Sequence, residues 1–366
     1  MNTQKNLGNW LEKIAGTYPL MIAGPCSAES EEQVLATAKG LAGDERIQVY
    51  RAGVWKPRTR PGNFEGHGKK ALPWLKKVKE QTGLKIAIEI ANAAHARLAL
   101  EYDMDILWIG ARTSVNPFAV QEIADTIKNT DKIVLIKNPV NPDLSLWIGA
   151  VERFFRSGIK NLGVIHRGFS SFRSGNYRNE PQWQIALQFK DKYPNIPLII
   201  DPSHICGRRD CIYDIAQQAL DLKYQGFMIE THINPDEAWS DARQQIKPGK
   251  LKDIIDKLCL RKQRFQDPKA IDKINFYREQ INQLDDELLE LLSERMKLAE
   301  NIGKLKKQKN VAVLQRNRWK EIMDKALYKG NKLGLSKKFV EKIFRAIHQE
   351  SIDKQEKILQ KKKQAK

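Results

Sequence analysis

Short apolar runs alternate with longer amphipathic segments from Leu20 to about Leu260. Eight such runs occur, each rich in β-branched residues and each followed by enough chain for a helix. The runs are predominantly apolar, which is typical of strands that are buried on both faces. They cover residues 20–23, 47–51, 85–90, 106–110, 132–137, 161–166, 198–201 and 226–230.

Eight strand–helix repeats over roughly 240 residues match the usual size of a closed (β/α)8 barrel. The competing architecture, an open doubly wound sheet, normally has fewer strands and a ligand site at one switch point. We therefore predict an α/β fold in which residues 1–260 form a (β/α)8 TIM barrel.

The pattern changes after Leu260. Residues 261–269 are polar and contain a proline, which predicts a linker, and residues 270–366 carry no further strand-like run. A helix from about Ala270 to Lys309 would be roughly 60 Å long. Its apolar residues recur with a/d spacing: Ile274, Tyr277, Ile281, Leu284, Leu288, Leu291, Leu298, Ile302 and Leu305.

A helix of this length cannot bury its apolar stripe inside a domain of about a hundred residues. We therefore predict a homodimer formed through this helix. Two shorter helices follow, the second starting after Gly334 with Ser336 as its N-cap. Residues 270–366 are thus predicted to form an all-α three-helix domain that dimerises and ends in a basic tail.

Composition narrows the classes of function. Hydrophobic residues make up 41% and charged residues 29% of the chain, which is typical of a soluble globular protein. The chain has no apolar run long enough to span a membrane and no signal-peptide core at its start, so we expect a cytoplasmic protein without a membrane partner. The net charge of +19 is concentrated after Arg261, but no nucleic-acid-binding motif accompanies it, so we expect no nucleic-acid partner.

The cysteines form no CxxC pair, so neither a disulfide framework nor a zinc ribbon is indicated. We expect all of them to be free: Cys26, Cys206, Cys211 and Cys259.

Charged side chains follow the ends of the predicted strands, which in a barrel surround the active site. Each one alone is typical of a surface group, but packing does not explain why so many converge. Cations that meet at one mouth repel one another unless a polyanion lies between them, and arginine suits phosphates and carboxylates. The cations are Arg51, Lys56, Arg58, Arg112, Lys137 and Arg167.

Four further groups are of metal-binding type: Cys26, His204, Glu230 and Asp241. This mixture of sulfur, nitrogen and oxygen donors is less typical of closed structural zinc sites. It leaves room for a substrate oxygen or water and suits one divalent ion of the Mn, Fe, Co or Zn type. The sequence therefore predicts a metal beside two anionic substrates.

Seven motifs, GPCS, KPRT, IGART, KNP, HRG, DPSH and IETH…SD, stand in the order found in 3-deoxy-D-arabino-heptulosonate 7-phosphate (DAHP) synthase. The chain resembles the compact type I subtype of that family over about residues 18–260. The resemblance implies the condensation of phosphoenolpyruvate with erythrose 4-phosphate. It also implies that the four metal-type groups are the ligands of the ion.

Other roles follow from the same resemblance. Three cations match the clamp on the phosphate of phosphoenolpyruvate: Arg112, Lys137 and Arg167. Arg51 and Lys56 match residues near its carboxylate and the reacting centre, and Lys56 is a candidate proton donor. Arg58 and Thr59, in KPRT, match the contacts to erythrose 4-phosphate.

The nearest alternative is 3-deoxy-D-manno-octulosonate 8-phosphate synthase, which shares the barrel and the clamp but uses arabinose 5-phosphate. The segment Pro57-Arg58-Thr59 resembles the pocket for the four-carbon phosphate, and the alternative enzyme usually has an asparagine-containing sequence there. In that alternative, the helical domain serves dimerisation or sensing.

In the helical domain, Arg295 falls on the apolar stripe, where a cation is anomalous without a buried anionic partner. Lys306 lies about three turns farther on nearly the same face, whereas Arg278 points away, toward a neighbouring chain. This arrangement resembles the all-helical chorismate mutase over about residues 270–360. The implied pocket combines Arg278 of a second chain with same-chain residues Arg295, Lys306, Arg318, Ser351 and Gln355.

The resemblance implies that chorismate rearranges to prephenate without any cofactor, with Lys306 and Gln355 as hydrogen-bond donors to the ether oxygen. Gln315 and Trp319 stand where the family can carry acidic residues, so the contact with the substrate hydroxyl is unassigned. A domain used only for dimerisation and sensing is the competing interpretation.

We thus predict a bifunctional enzyme of the shikimate pathway, both a transferase and an isomerase. We further hypothesise that prephenate or chorismate bound to the helical domain slows the barrel, because the chain has no other obvious sensor domain.

Overall fold

Eight parallel strands close into a barrel in chain order, with β1 paired to both β2 and β8. The computed structural model describes residues 8–57, 62–171, 175–261, 267–313 and 316–360, without the side chains of residues 316 and 317. The predicted fold is confirmed. The strands are β1 (Leu20–Gly24), β2 (Val49–Ala52), β3 (Lys85–Ile90), β4 (Ile106–Ile109), β5 (Ile133–Lys137), β6 (Leu162–His166), β7 (Leu198–Ile200) and β8 (Gly226–Glu230).

Apart from the first, which precedes β1, the helices follow the strands and form the outer layer of the barrel. They are α1 (Asn9–Ala15), α2 (Glu31–Ala42), α3 (Leu72–Thr82), α4 (Ala93–Glu101), α5 (Pro117–Ile127), α6 (Leu144–Arg156), α7 (Trp183–Lys192), α8 (Pro202–Cys206), α9 (Ile212–Asp221) and α10 (Pro248–Lys257). A second compact unit, Lys262–Lys366, is separate from the barrel unit, Met1–Arg261. It contains α11 (Pro268–Lys309), α12 (Arg316–Lys332) and α13 (Lys337–Gln360).

The helix α1 was not predicted from the sequence. Its Trp10 is buried and belongs to the apolar cluster inside the barrel, together with Leu20, Trp108 and Leu135. The indole Nε1 of Trp10 donates a hydrogen bond to the carbonyl oxygen of Leu162 at 2.9 Å. The side chain therefore fills the end of the barrel at which the strands begin, which leaves the opposite end for ligands.

In the helical unit, α11 spans 42 residues and packs against α13. The close approach requires Gly303, because a Cβ there would lie 3.1 Å from the Cα of Gln355. Most of the stripe that the sequence singled out is not covered within the unit: Leu284, Leu291 and Leu298 are each more than 60% exposed. As predicted, Ser336 caps the last helix, since its Oγ accepts a hydrogen bond from the backbone N–H of Phe339.

The expectation that all cysteines are free is wrong for two of them. Cys206 and Cys211 form a disulfide, with their Cα atoms 6.0 Å apart. Gly207 ends α8 in the left-handed conformation, with φ of 66°, and the resulting turn brings Cys211 back toward Cys206. Cys26 and Cys259 are free. Among the described helices, none has the length and hydropathy needed to cross a membrane.

Candidate active sites

Three of the predicted metal ligands lie together at the carboxyl end of the barrel. Cys26 follows β1, Glu230 is the last residue of β8, and Asp241 lies in the loop after β8. One ligand atom of each lies within 4.8 Å of the corresponding atoms of the other two. We refer to these three residues as the acidic cluster.

The backbone brings Cys26 and Glu230 together because β1 and β8 are neighbours. Gly24 pairs with Glu230 in the ladder, and its carbonyl oxygen accepts a hydrogen bond from the N–H of Thr231 at 2.8 Å. Gly24 has a φ of 146°, and a Cβ at this position would lie 2.1 Å from the carbonyl oxygen of Arg51. Only glycine permits this approach of β1 to β2.

His204 lies beside the acidic cluster but outside its close set. Its Nε2 is 3.9 Å from Glu230 Oε1, while its Nδ1 is 2.8 Å from Asp201 Oδ2. Asp201 also caps α8, since its Oδ1 accepts a hydrogen bond from the backbone N–H of His204 at 3.0 Å. Metal-binding histidines are commonly oriented in this way, with a carboxylate on one ring nitrogen and the ion on the other.

The donors of the acidic cluster fit a divalent cation. Glu230 Oε2 accepts a hydrogen bond from Gln244 Nε2 at 2.6 Å, whereas the buried Oε1 has no hydrogen-bond partner among the described residues. Cys26 Sγ lies 3.4 Å from Asp241 Oδ2 and 2.9 Å from Lys56 Nζ. A buried carboxylate oxygen without a donor is costly, and a cation between these groups would satisfy it.

Burial and charge shift the pKa of each group here. Burial, reinforced by the charge of Glu230, raises the pKa of the Cys26 thiol to about 11. Burial alone would raise the pKa of Glu230, but His204 and Arg51 outweigh it, and the pKa is lowered. Burial would lower the pKa of Lys56, but Cys26 and Glu230 outweigh it, and the pKa is raised. A bound metal would displace the thiol proton, because the ligand is the thiolate.

A cavity of about 490 Å³ adjoins the acidic cluster. Lys137 Nζ lies in it, 2.9 Å from Asp201 Oδ2, and Arg167 Nη1 donates a hydrogen bond to Asn179 Oδ1 at 2.6 Å. Burial lowers the pKa of Arg167 to about 10, and nearby cations act in the same direction. The crowding of cations fits a phosphorylated ligand. The lining includes Lys56, Arg112, Lys137, Arg167, Arg178, Asn179, His204 and Asp241.

Of the remaining predicted barrel residues, one lies beside the acidic cluster and two are not described. Arg51 is only 1% exposed, and its Nη1 lies 3.4 Å from Glu230 Oε1, so it lies next to the acidic cluster. Arg58 and Thr59, which were predicted to contact erythrose 4-phosphate, lie outside the described residues.

The helical unit brings three of its predicted residues together. Arg295 Nη1 donates a hydrogen bond to Ser351 Oγ at 2.6 Å, and Gln355 Nε2 donates one to the carbonyl oxygen of Ser351 at 3.1 Å. Gln355 Oε1 is buried and has no partner within the described part of the chain. Burial lowers the pKa of Arg295. The contact between Arg295 and Ser351 thus joins α11 to α13, next to the buried Oε1 of Gln355.

The other predicted mutase residues make separate contacts. Lys306 Nζ donates a hydrogen bond to the carbonyl oxygen of Val313 at 2.6 Å. Arg318 is ion-paired with Glu321 at 3.0 Å. Arg278 is exposed, and within one chain it does not contact the group formed by Arg295, Ser351 and Gln355; its Nη1 lies 3.5 Å from Asn275 Oδ1.

Comparison with known proteins decides the family. Residues 11–266 match the model of the DAHP synthetase I family. The chain belongs to the DAHP synthetase I family. Residues 277–356 match the model of chorismate mutase type II. The protein is therefore a bifunctional enzyme of the shikimate pathway, with a DAHP synthase domain and a chorismate mutase domain.

Individual relatives agree with this assignment. The phospho-2-dehydro-3-deoxyheptonate aldolase of Thermotoga maritima is 30% identical over 246 residues, which are 67% of this chain and 70% of that protein. The crystal structure of the Thermotoga maritima DAHP synthase matches with a TM-score of 0.59 at 28% identity, over 66% of this chain and 68% of that one. The 2-dehydro-3-deoxyphosphooctonate aldolase of Helicobacter pylori is 27% identical over 270 residues, which are 65% of this chain and 93% of that protein.

Within the DAHP synthase domain, Trp108 of β4 lies beneath two of the cations. It is fully buried inside the barrel. The guanidinium carbon of Arg51 lies 4.7 Å and Lys137 Nζ lies 5.8 Å from its ring centroid. An aromatic face attracts a cation without neutralising it. Trp108 therefore helps to hold both charged groups in place at the carboxyl end of the barrel.

Sequence reasoning missed Trp108, Arg178 and Asn179. Arg178 Nη1 donates a hydrogen bond to Asp241 Oδ1 at 2.9 Å, and Asn179 Nδ2 donates one to the carbonyl oxygen of His204 at 2.6 Å. Arg178 and Asn179 lie well past the end of β6, so a search for polar residues at the strand ends does not include them. In the sequence, Trp108 looks like an ordinary core residue of an apolar strand. Its position beneath two cations is visible only in the structure.

We expect Trp108→Leu to raise the KM for phosphoenolpyruvate about tenfold, because cation–π contacts at desolvated sites contribute about 1–2 kcal/mol. The KM for erythrose 4-phosphate should stay within about twofold. Trp108→Phe keeps an aromatic face and should have the smaller effect. Steady-state kinetics with each substrate varied in turn checks this.

Trp10→Leu is the matched control, since it makes the same deletion inside the barrel far from the cations. Equal changes in the phosphoenolpyruvate KM for the Trp10 and Trp108 variants would show that Trp108 acts only through packing.

Proposed function

We propose that the barrel, residues 1–260, condenses phosphoenolpyruvate with erythrose 4-phosphate in a reaction that depends on one divalent metal ion. The proposed ligands are Cys26, His204, Glu230 and Asp241. The observation that supports this most directly is the acidic cluster, in which Glu230 Oε1 has no hydrogen bond from the described residues, next to a cavity lined by cations. A bound ion would act as a Lewis acid toward the aldehyde.

The chain's own residues supply the rest of the chemistry. Arg112, Lys137 and Arg167 would hold the phosphate of phosphoenolpyruvate, and Arg51 would lie near its carboxylate. As C3 attacks the aldehyde carbon, Lys56 would donate a proton to the oxygen that becomes a hydroxyl. Water then adds at C2, and phosphate leaves by cleavage of the C–O bond. Fixed cations stabilise the charge that moves to the leaving phosphate.

The metal assignment predicts a cobalt–thiolate bond. Full-length protein titrated with Co²⁺ should develop thiolate-to-cobalt charge-transfer absorption, and Cys26→Ser should lose this absorption and most synthase activity. Cys259→Ser, which changes the exposed free cysteine, is the matched control and should behave as the parent protein. A chelator should stop DAHP formation and leave the mutase reaction intact.

Retention of the charge-transfer band in Cys26→Ser, or synthase activity that survives the chelator, would contradict the proposed site.

Arabinose 5-phosphate is the alternative substrate. Relatives named 2-dehydro-3-deoxyphosphooctonate aldolase also match this chain. The family model and the KPRT segment nevertheless favour erythrose 4-phosphate. We expect kcat/KM to be at least tenfold higher with erythrose 4-phosphate, measured by phosphate release. Faster turnover with arabinose 5-phosphate would reverse the assignment.

For the helical domain, residues 270–366, we propose rearrangement of chorismate to prephenate without a cofactor. Arg295, Arg318 and Ser351 would hold the dicarboxylate, while Lys306 and Gln355 would donate hydrogen bonds to the ether oxygen as negative charge develops there. Gln355 Oε1, which is buried and has no hydrogen-bond partner among the described residues, supports a ligand site here.

We also propose that α11 of a second copy covers the exposed stripe and contributes Arg278 to the pocket. The extent of the uncovered apolar surface supports this homodimer. Prephenate or chorismate bound in this domain would slow the barrel by feedback. Cytoplasmic location and the lack of nucleic-acid and membrane partners remain predictions from the sequence.

We expect Arg295→Ala to reduce mutase kcat/KM by at least about a hundredfold, because a cation that binds the anionic substrate is lost. The dimer should remain intact in sedimentation velocity. The variant should also lose any inhibition of the synthase by prephenate. Arg345→Ala, an exposed position on α13, is the matched control.

Mutase activity that persists in Arg295→Ala would contradict the catalytic assignment. Parent synthase rates that saturating prephenate leaves unchanged would remove the feedback proposal alone.

A further inference from the structure

Two stacked rings lie beside the proposed mutase pocket. The indole of Trp319 and the imidazole of His348 have centroids 4.0 Å apart and planes 16° apart. Trp319 belongs to α12 and His348 to α13, so the stack joins these two helices. Stacking of this kind fixes the plane of the imidazole and therefore the directions in which its nitrogens can bond.

His348 shares a helix face with the pocket residues of α13. It precedes Ser351 by three residues and Gln355 by seven, and residues at this spacing lie on one face of a helix. Ser351 accepts the hydrogen bond from Arg295. Burial lowers the pKa of His348, and the positive charge of Arg295 adds to the effect. The imidazole is therefore neutral at neutral pH.

A neutral imidazole offers one donor and one acceptor. Neither ring nitrogen of His348 has a hydrogen-bond partner within the described part of the chain. Stacking thus fixes the orientation of the His348 ring, while its two nitrogens make no hydrogen bond to the described residues. The other side chains assigned to the site are mainly cations.

Free hydrogen-bond acceptors are few in the proposed pocket: among the described residues assigned to it, Gln355 Oε1 has no partner, and it belongs to the amide that is proposed to face the ether oxygen. Arg295, Lys306 and Arg318 can only donate hydrogen bonds. Ser351 Oγ already accepts from Arg295 and donates to the carbonyl oxygen of Ile347. Chorismate, however, carries a ring hydroxyl in addition to its carboxylates and ether oxygen. A hydroxyl that leaves water needs an acceptor for its proton, or binding loses about 1–3 kcal/mol.

We infer that His348, held in plane by Trp319, is a substrate-binding residue of the mutase pocket and accepts a hydrogen bond from the ring hydroxyl of chorismate. This inference rests on the proposed location of the mutase site around Arg295. It assigns a side chain of this chain to the contact that Gln315 and Trp319, as non-acidic residues, leave open. Trp319 is then a positioning residue.

The test compares two substrates and two variants of the full-length protein. The substrates are chorismate and the analogue that lacks the ring hydroxyl but keeps both carboxylates and the ether. His348→Phe keeps a ring that can stack on Trp319 but has no acceptor, and His348→Gln restores an acceptor without the ring. Mutase kcat/KM is measured for all combinations.

The expected result is a loss of about tenfold in kcat/KM for chorismate in His348→Phe, the upper end for a neutral hydrogen bond. The same variant should change kcat/KM for the deoxy analogue by less than about twofold. His348→Gln should recover part of the loss with chorismate only. Equal losses for both substrates, or no loss for either, would overturn the inference.

Arg295→Ala separates this inference from the proposed function on which it rests. If Arg295→Ala abolishes turnover while His348→Phe treats both substrates alike, only the hydroxyl contact is wrong. If Arg295→Ala remains active, the pocket itself has been misplaced. Circular dichroism and sedimentation velocity on each variant show whether the helices and the oligomer are retained, and Trp319→Leu should reproduce part of the selective loss through misorientation of His348.

Discussion

The buried charge of Glu230 is the constraint on which the barrel's chemistry depends. Its carboxylate is removed from water, and one of its oxygens has no hydrogen bond from the described residues. A buried carboxylate is tolerated only when positive charge or donors surround it. Arg51 and His204 partly meet this need, and a metal ion would complete it. The same ion would also offset the burial and the charge of Glu230, which together raise the pKa of the Cys26 thiol.

The fold brings these groups together in two ways. Neighbouring strand ends meet at one end of the barrel, and an aromatic side chain lies beneath the cations. β1 and β8 place Cys26 next to Glu230 in one hydrogen-bonded register. Trp108 lies under Arg51 and Lys137. In the proposed function, these cations, which would otherwise repel one another, are fixed before a phosphorylated substrate binds. Such pre-organisation lowers the cost of reorganising the site during the reaction.

Much of the fold could be predicted from the sequence, because a strand buried on both faces has a distinctive apolar run and eight of them define a closed barrel. The acidic cluster could be predicted for a related reason: the ends of parallel strands converge whatever their loops do. His204 was predicted with the cluster but lies at its edge, because its position depends on the cap of α8 by Asp201.

Other features of the structure depend on tertiary contacts, which no local sequence pattern predicts. The helix α1 is too short to show a reliable period, although Trp10 fills one end of the barrel. Arg178 reaches Asp241 from a long loop, and the Cys206–Cys211 pair depends on the turn at Gly207. In the mutase domain, Arg295 could be predicted from its place on an apolar stripe, whereas the stacking of Trp319 on His348 required the packing of two helices.

Crystallography of zinc-loaded protein, with anomalous scattering at the zinc edge, tests the central claim most directly. The account predicts one ion about 2.0–2.3 Å from ligand atoms of Cys26, His204, Glu230 and Asp241. Cys26 would then lose its thiol proton, and His204 Nε2 would turn to the ion. An ion bound elsewhere, with Cys26 still beside Lys56 and Asp241 still paired with Arg178, would contradict the account.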